Sequence, residues 1–295
     1  MRRPASFVGV LFLAAGLAGA TEPTPGHLVL NGGGPKPAAV MQRFINLAGG
    51  PDADLVVFPT ASEETDTGDY YRDLFTEDYG CRRVTAVEVH DRDDAMDEAL
   101  ADRVRRADGI WFAGGDQRRI TEALLDTPVG TAVVEAWRRG ATVGGTSAGT
   151  ACQSGLMITG DGDFDVITAD NVVLWPGLGL FSGVIVDQHF VARRRHNRLI
   201  AVVLEHPELL GVGVDEGTAV WVRPDGTFRV LGEGWVIVYD ATEATARRGS
   251  APGDRVNLGA YGMRMHVLID GDVYDVPGRR MVDDDPWIKE REAAQ

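Results

Sequence analysis

From His27 to about residue 145, short β-branched runs alternate with stretches of helical character, and this alternation constrains the fold more than any other feature. "HLVLN" (27–31) meets Gly32-Gly33-Gly34, and "ADLVVFPT" (53–60) runs into a polar segment with a helical stretch near 66–78. "RRVTAVEV" (82–89) leads to an Asp-rich helix start near Asp93. "GIWFAGG" (109–115) precedes "DQRRITEALLD", whose Ile120, Leu124 and Leu125 fit one helix face, and "ATVGG" (141–145) follows. Strands alternating with helices imply βα units and an α/β fold, a mostly parallel sheet with helices on both faces. In such sheets ligands sit beyond the carboxyl ends of the strands. Three chemically loaded turns fall at expected strand ends: Gly114-Gly115-Asp116-Gln117, Gly145 to Gly149, and Asp187-Gln188-His189. After Gly211, "TAVWVR", "TFRVLG", "GWVIVYD" and "RMHVLIDGDVYDV" read as antiparallel strands added to the same domain, because no linker precedes them. Residues 277–295 are polar and read as a mobile tail or a terminal helix.

The first twenty residues have a different character. Arg2 and Arg3 precede the apolar run Phe7–Leu17, which ends in Ala18-Gly19-Ala20, the pattern of a secretory signal peptide over residues 1–20. Residues 21–276 then form the expected single α/β domain of an exported protein, periplasmic or extracellular. No later segment reaches the roughly 18 apolar residues of a membrane span, so no membrane association is expected after signal removal. Loss of Arg2 and Arg3 would take the formal charge from −15 to −17. So acidic a surface repels nucleic acid, and no basic stripe is present to track phosphates. Cys81 and Cys152 are too few for a disulfide scaffold, although a bridge between them is open; Cys152 reads most simply as a small buried residue.

Gly145-Thr146-Ser147-Ala148-Gly149 matches G-x-S-x-G, in which small neighbours let a strand turn sharply into a helix and hold the serine hydroxyl out at the corner. The pentapeptide is also an ordinary strand–helix turn, so the rest of the chain must decide. A serine nucleophile needs a base and a group that orients it. Beside His189 the candidates are His27, His90, His196, His206 and His266. His206 reads as a helix-terminal residue before a proline. His189 ends the apolar strand "SGVIVDQHF", which puts its imidazole at the ligand edge of the sheet. Asp215-Glu216 follows another buried-looking strand, and in extended backbone only one of two adjacent acids faces the site.

Taken in order, "FAGGDQRRIT", "GGTSAGTA", "DQHFVARRRHNRLI" and "GVGVDEGTAVWV" resemble the cyanophycinases of the dipeptidase E-like serine peptidases, from about His27 to Asp270. The resemblance implies a class I glutamine amidotransferase-like fold and a peptide or polymer substrate of cyanophycin type, without a cofactor. It also allows a homodimer. By the same resemblance Ser147 corresponds to the nucleophile, His189 to the base and Glu216 to the triad acid, with the amides of Gly115 and Ala148 as the oxyanion hole. Gln117, Asp187, Gln188, Arg195 and Arg198 match positions that hold a β-aspartyl-arginine substrate. Arg195 and Arg198 lie three apart, so on a helix they share a face and could clamp a carboxylate. Thr150 stands where the family more often has Ala, and export departs from the usual cytosolic location.

Other readings bear on the same residues. "DGDFD" (161–165) mimics the start of a calcium loop, but Val166 and Val172 occupy the places of its glycine and bidentate Glu, so it reads as a solvated loop and no metal is expected. Gly32-Gly33-Gly34-Pro35 lacks the lysine and spacing of a phosphate loop. An α/β-hydrolase esterase would run Ser, acid, His, whereas here the order is Ser147, His189, Glu216. A dipeptidase for small aspartyl or isoaspartyl peptides remains an alternative, with segment 157–182 as the place of pocket-shaping loops. So does a non-catalytic amidotransferase-like binding protein.

Overall fold

The computed structural model describes residues 24–283, so the expected signal peptide and the last twelve residues lie outside it. The parallel half of the chain runs β1 (Leu28–Asn31), α1 (Ala38–Ala48), β2 (Asp54–Phe58), α2 (Thr67–Asp73), β3 (Arg83–Ala86), α3 (Glu98–Arg106) and β4 (Gly109–Phe112). It continues with α4 (Gln117–Leu124), α5 (Pro128–Arg138), β5 (Thr142–Thr146) and the single-turn α6 (Ala148–Ala151). A short pair, β6 (Leu156–Ile158) and β7 (Leu174–Pro176), precedes β8 (Val184–Gln188), α7 (His196–Glu205) and β9 (Leu210–Val214). Then come β10 (Thr218–Val222), β11 (Thr227–Gly232), β12 (Val236–Asp240), the hairpin β13 (Thr245–Ser250) and β14 (Val256–Tyr261), β15 (Arg264–Leu268), β16 (Val273–Asp275) and β17 (Arg280–Met281).

Nine strands form one sheet in the order β17-β16-β11-β10-β1-β5-β4-β2-β3. β1, β5, β4, β2 and β3 are mutually parallel, and β10, β11, β16 and β17 extend the sheet antiparallel from β1. Period-two alternation sends Leu28, Leu30, Val56, Phe58, Ile110 and Phe112 to one face, and Val29, Leu55, Val57 and Trp111 to the other. The second face is covered by α1 and α2 through Met41, Phe44, Ile45 and Tyr71. The first is covered by α3, α4 and α5 and by a second sheet, β15-β12-β9-β8, whose Val186, Val212 and Val238 join the same core. Its outer side, through Ile185, Ile237 and Tyr239, is closed by α7. The architecture is thus mixed α/β, with a large sheet flanked by helices and extra antiparallel strands.

Local chemistry sets the helix ends. Asp97 and Asp116 accept the free first-turn amides of α3 and α4, and Thr127 does so for α5, where Pro128 supplies the helical φ. Two features differ from the sequence expectation. The chain after Pro277 is strand rather than tail at Arg280–Met281: Asp275 Oδ1 accepts the Gly278 amide at 2.9 Å, closing a turn that returns β17 to β16. β8 and β9 leave the main sheet for the second one. Cys81 and Cys152 are both buried free thiols, packed on opposite faces of the main sheet. Among the described residues no helix is long and apolar enough to cross a membrane.

Phe44 on α1 meets Trp111 on β4 edge to face, with ring centroids 5.0 Å apart, and both are fully buried. Phe44→Ala is expected to lower unfolding free energy by about 3–5 kcal/mol, while exposed Met96→Ala stays within about 0.5 kcal/mol. The urea midpoints of the two variants check this.

Candidate active site

Ser147 stands at the corner where β5 becomes α6, with φ 53° and ψ −111°, a conformation that a non-glycine residue adopts only under constraint. The glycines of the motif make the corner sterically feasible. A Cβ on Gly145 would fall 2.3 Å from Gly149 O, and one on Gly149 would fall 2.2 Å from Phe112 O, so neither position has room for a side chain. The Ser147 amide donates to Asn31 O at 3.0 Å, tying the corner to the neighbouring strand end. Ala148 is the first helical residue, so its amide has no acceptor within the helix. The Gly114-Gly115 turn runs alongside, since a Cβ on Gly114 would lie 3.5 Å from Ser147 Cβ. Amides at these two places suit a developing oxyanion.

His189 follows the last residue of β8 at φ 50°, and its amide donates to Gly32 O at 2.7 Å. Its Nε2 lies 2.8 Å from Ser147 Oγ, and its Nδ1 lies 2.6 Å from Glu216 Oε1. With the proton on Nδ1 shared with the carboxylate, Nε2 is free to accept the serine proton. Burial holds the imidazole below its ordinary value, against the opposing pull of Glu216, while Arg193 and Arg195 push it down further. At neutral pH the ring is therefore neutral, the state a general base requires.

Glu216 reaches this position because the β9–β10 connection crosses from the second sheet to the first. β8 and β9 are parallel and pair Gln188 with Val214, so His189 and Asp215 emerge side by side. Asp215 Oδ1 accepts the amides of Val191 and Ala192 at 3.0 and 2.9 Å, fixing the turn after His189. Glu216, one residue on, points to the ring instead. The first glycine turn packs against both: a Cβ on Gly33 would fall 2.2 Å from His189 Cε1, and Gly33 O accepts the Gly217 amide.

The cations are placed differently from a free clamp. Arg195 is the residue before α7, and Arg198 lies in its first turn. Arg198 is 2% exposed and holds fully buried Asp187 in a two-pronged contact, Nε to Oδ2 at 2.7 Å and Nη2 to Oδ1. Arg195 Nη1 donates to Gln188 O and Oε1 at 2.6 and 2.7 Å. Burial pulls its guanidinium down to about 10, which leaves it charged at neutral pH. Gln117, the first residue of α4, donates to Ile158 O at 2.6 Å. The acids of the "DGDFD" loop are exposed, as expected of a solvated loop, and the loop is also tied down: Asp161 pairs with Arg118 at 3.0 Å, Asp163 with Arg255 at 2.9 Å, and the Phe164 ring lies 4.8 Å from the Arg198 guanidinium carbon.

The other histidines serve elsewhere. His27 accepts from Trp221 Nε1 before the opposite end of β1, His196 contacts Tyr239 Oη, His206 caps α7 near Glu208, His90 is exposed, and His266 packs on Tyr274. Two contributors were not singled out from sequence. Arg193 is exposed and close enough for its charge to depress His189. The Asn31–Gly34 turn touches the whole site, and the signal for it was present in three glycines at the end of the first strand.

The model of peptidase family S51 matches residues 28–230. The chain is 39% identical over 239 residues to a cyanophycinase of Synechococcus elongatus, covering 80% of this chain and 74% of that one. It is 35% identical over 238 residues to a cyanophycinase of Geminocystis herdmanii, with 80% and 87% covered. A crystal structure of a peptidase from an acI-B1 Actinobacterium superposes with a TM-score of 0.65 at 21% identity, over 86% of this chain and 98% of that one, and shows the shared fold. The chain belongs to peptidase family S51 and is a serine-type peptidase.

Proposed function

We propose that the protein is an exported serine exopeptidase that releases β-Asp-Arg units from cyanophycin through an acyl-enzyme on Ser147. The observation that carries the chemistry is the hydrogen-bonded line Ser147 Oγ, His189, Glu216 at 2.8 and 2.6 Å. The polymer is supported by the cyanophycinases among the relatives, and export by the signal-like residues 1–20.

In this reading His189 Nε2 takes the Ser147 proton as Oγ adds to the scissile carbonyl carbon, and the carbonyl oxygen becomes an oxyanion facing the Ala148 and Gly115 amides. The tetrahedral intermediate collapses: the C–N bond breaks, the imidazolium returns its proton to the leaving amine, and an acyl ester remains on Ser147. Water then adds to the ester with His189 again as base, and Ser147 recovers its proton as the acid product leaves. Glu216 orients the ring and stabilises its charged form throughout. Arg195, with Arg193 nearby, meets the free carboxylate of a β-linked aspartate. Arg198 acts through its grip on Asp187, which shapes the floor of the site together with Gln188 and Gln117.

Incubating the purified protein with cyanophycin and, separately, with small isoaspartyl dipeptides, and following product masses, tests the substrate. Release of β-Asp-Arg from the polymer is expected; cleavage of the dipeptides alone would replace the polymer reading by a dipeptidase. Ser147→Ala should lower kcat by a factor on the order of 10⁶ with unchanged circular dichroism, the loss seen for a triad serine in subtilisin. A variant retaining a tenth of the activity would exclude Ser147 as nucleophile.

Because catalysis needs neutral His189, kcat/KM should rise with pH along an acid limb whose midpoint lies below 6.5. Glu216→Gln removes the group that raises the ring, so the limb should move lower still. The same variant should lose roughly 10²- to 10⁴-fold in kcat with little change in KM. The two arginines should separate. Arg195→Ala should raise KM roughly ten- to a hundredfold, the worth of a charge-assisted contact. Arg198→Ala leaves buried Asp187 without its two-pronged partner, with only Arg195 Nη1 3.6 Å from Oδ1, and should cost about 3 kcal/mol of stability, read by denaturant unfolding.

A further inference from the structure

We propose that Asn31 is a positioning residue that sets the Ser147–His189 register, a role that rests on the triad reading above. Asn31 is the last residue of β1 and pairs with Thr146 of β5 on one side and Ala219 of β10 on the other. It is fully buried. Its main-chain oxygen accepts the Ser147 amide at 3.0 Å and the Thr150 hydroxyl at 2.7 Å, so it holds the serine corner at both ends of its single helical turn. Its side-chain oxygen accepts the Gly33 amide at 2.8 Å and the Thr146 hydroxyl at 2.9 Å. Gly33 is the residue on which the His189 ring rests, Gly32 O receives the His189 amide, and Gly33 O receives the amide next to Glu216. One side chain thereby links the strand that ends in the nucleophile to the turn that seats the base and its acid.

The other half of the amide points to the same role. Asn31 Nδ2 is buried with no hydrogen-bond partner among the described residues. A buried donor left unsatisfied opposes folding, and an apolar residue of similar size would avoid that penalty. What Asn31 provides that an apolar residue cannot is its doubly accepting oxygen. Catalysis depends on the distance between Oγ and Nε2 more steeply than folding does, since small misplacements of reacting groups cost large factors in rate.

The test compares Asn31→Leu and Asn31→Asp with the wild type, each normalised to the fraction of serine titrated by a phosphonylating reagent. Asn31→Leu keeps the branched shape but removes the acceptor and should lower kcat per titrated serine at least tenfold, with KM within twofold. Asn31→Asp keeps an accepting oxygen but places a carboxylate on the Gly33 amide, and Gly33 lies against the His189 ring. This variant should recover part of that kcat and shift the acid limb of kcat/KM to higher pH, because a nearby negative charge favours the protonated ring. A purely structural residue would change melting and the titrated fraction, not these readouts. Should Asn31→Leu fail to fold, Thr146→Val removes one of the two donors to the Asn31 side-chain oxygen and should lower kcat three- to tenfold. Asn31→Leu within twofold of wild type, Thr146→Val with unchanged kcat, or an acid limb unmoved in Asn31→Asp overturns the proposal. Labelling that survives Ser147→Ala instead overturns the triad reading beneath it.

Discussion

The constraint on which the site depends is the backbone at Ser147. A non-glycine residue at φ 53° and ψ −111° costs on the order of 1–3 kcal/mol, and it persists only where the surroundings over-determine it. Here they do so from three directions. Asn31 O holds the Ser147 amide and the Thr150 hydroxyl, Gly149 lies against Phe112 O with no room for a side chain, and Gly145 lies against Gly149 O. The parallel pairing of β1, β5 and β4 supplies these neighbours, so the strain is supported by the centre of the sheet rather than by a loop. Thr150 places its one hydroxyl proton between Asn31 O and Gly145 O, at 2.7 and 2.9 Å, and so ties the corner to two strand ends.

The second sheet solves a geometric problem that the first leaves open. The serine lies at the carboxyl edge of β5, and a base must approach it from outside the row of parallel strands. β8 and β9 run parallel to each other in a separate layer, so His189 and Asp215 emerge as neighbours facing that edge. The link from β9 to β10 then returns to the main sheet and carries Glu216 across the gap. Asp215, directly after β9, and Glu216, in the turn that follows, divide two tasks between adjacent acids. One anchors the amides of Val191 and Ala192; the other meets the imidazole.

Charge is handled by burial and pairing. In a chain of net charge −15, Asp187 is fully buried, and it is tolerable there because Arg198 meets both its oxygens. The pair lies immediately before Gln188 and His189, so it also stiffens the strand end that carries the base. Phe164 covers the Arg198 guanidinium, and the ion pairs of Asp161 and Asp163 fasten that covering loop to α4 and to the β13–β14 hairpin. Arg195 stays charged despite its burial, with exposed Arg193 close enough for its charge to act on it.

The sequence by itself determined the alternation of β1 to β5 with their helices, because burial on both faces demands apolar runs bounded by turn and cap residues. It also marked the serine corner, since only small residues at 145 and 149 allow it, and the antiparallel strands after Gly211. Local pattern could not say which of Asp215 and Glu216 faces the ring, as both share one turn and one composition; resemblance selected Glu216, and the crossing between sheets decides the geometry. Nor could spacing reveal that Arg198 turns inward. Three-residue separation assigns a helical face but not what packs against it, and Asp187 lies there. The turn at Gly33 and the oxygen of Asn31 were visible as residues and silent as partners. Their roles exist only where β1 comes to lie between β5 and β10, more than a hundred residues away in the chain, and long-range register of that kind is a property of tertiary packing alone.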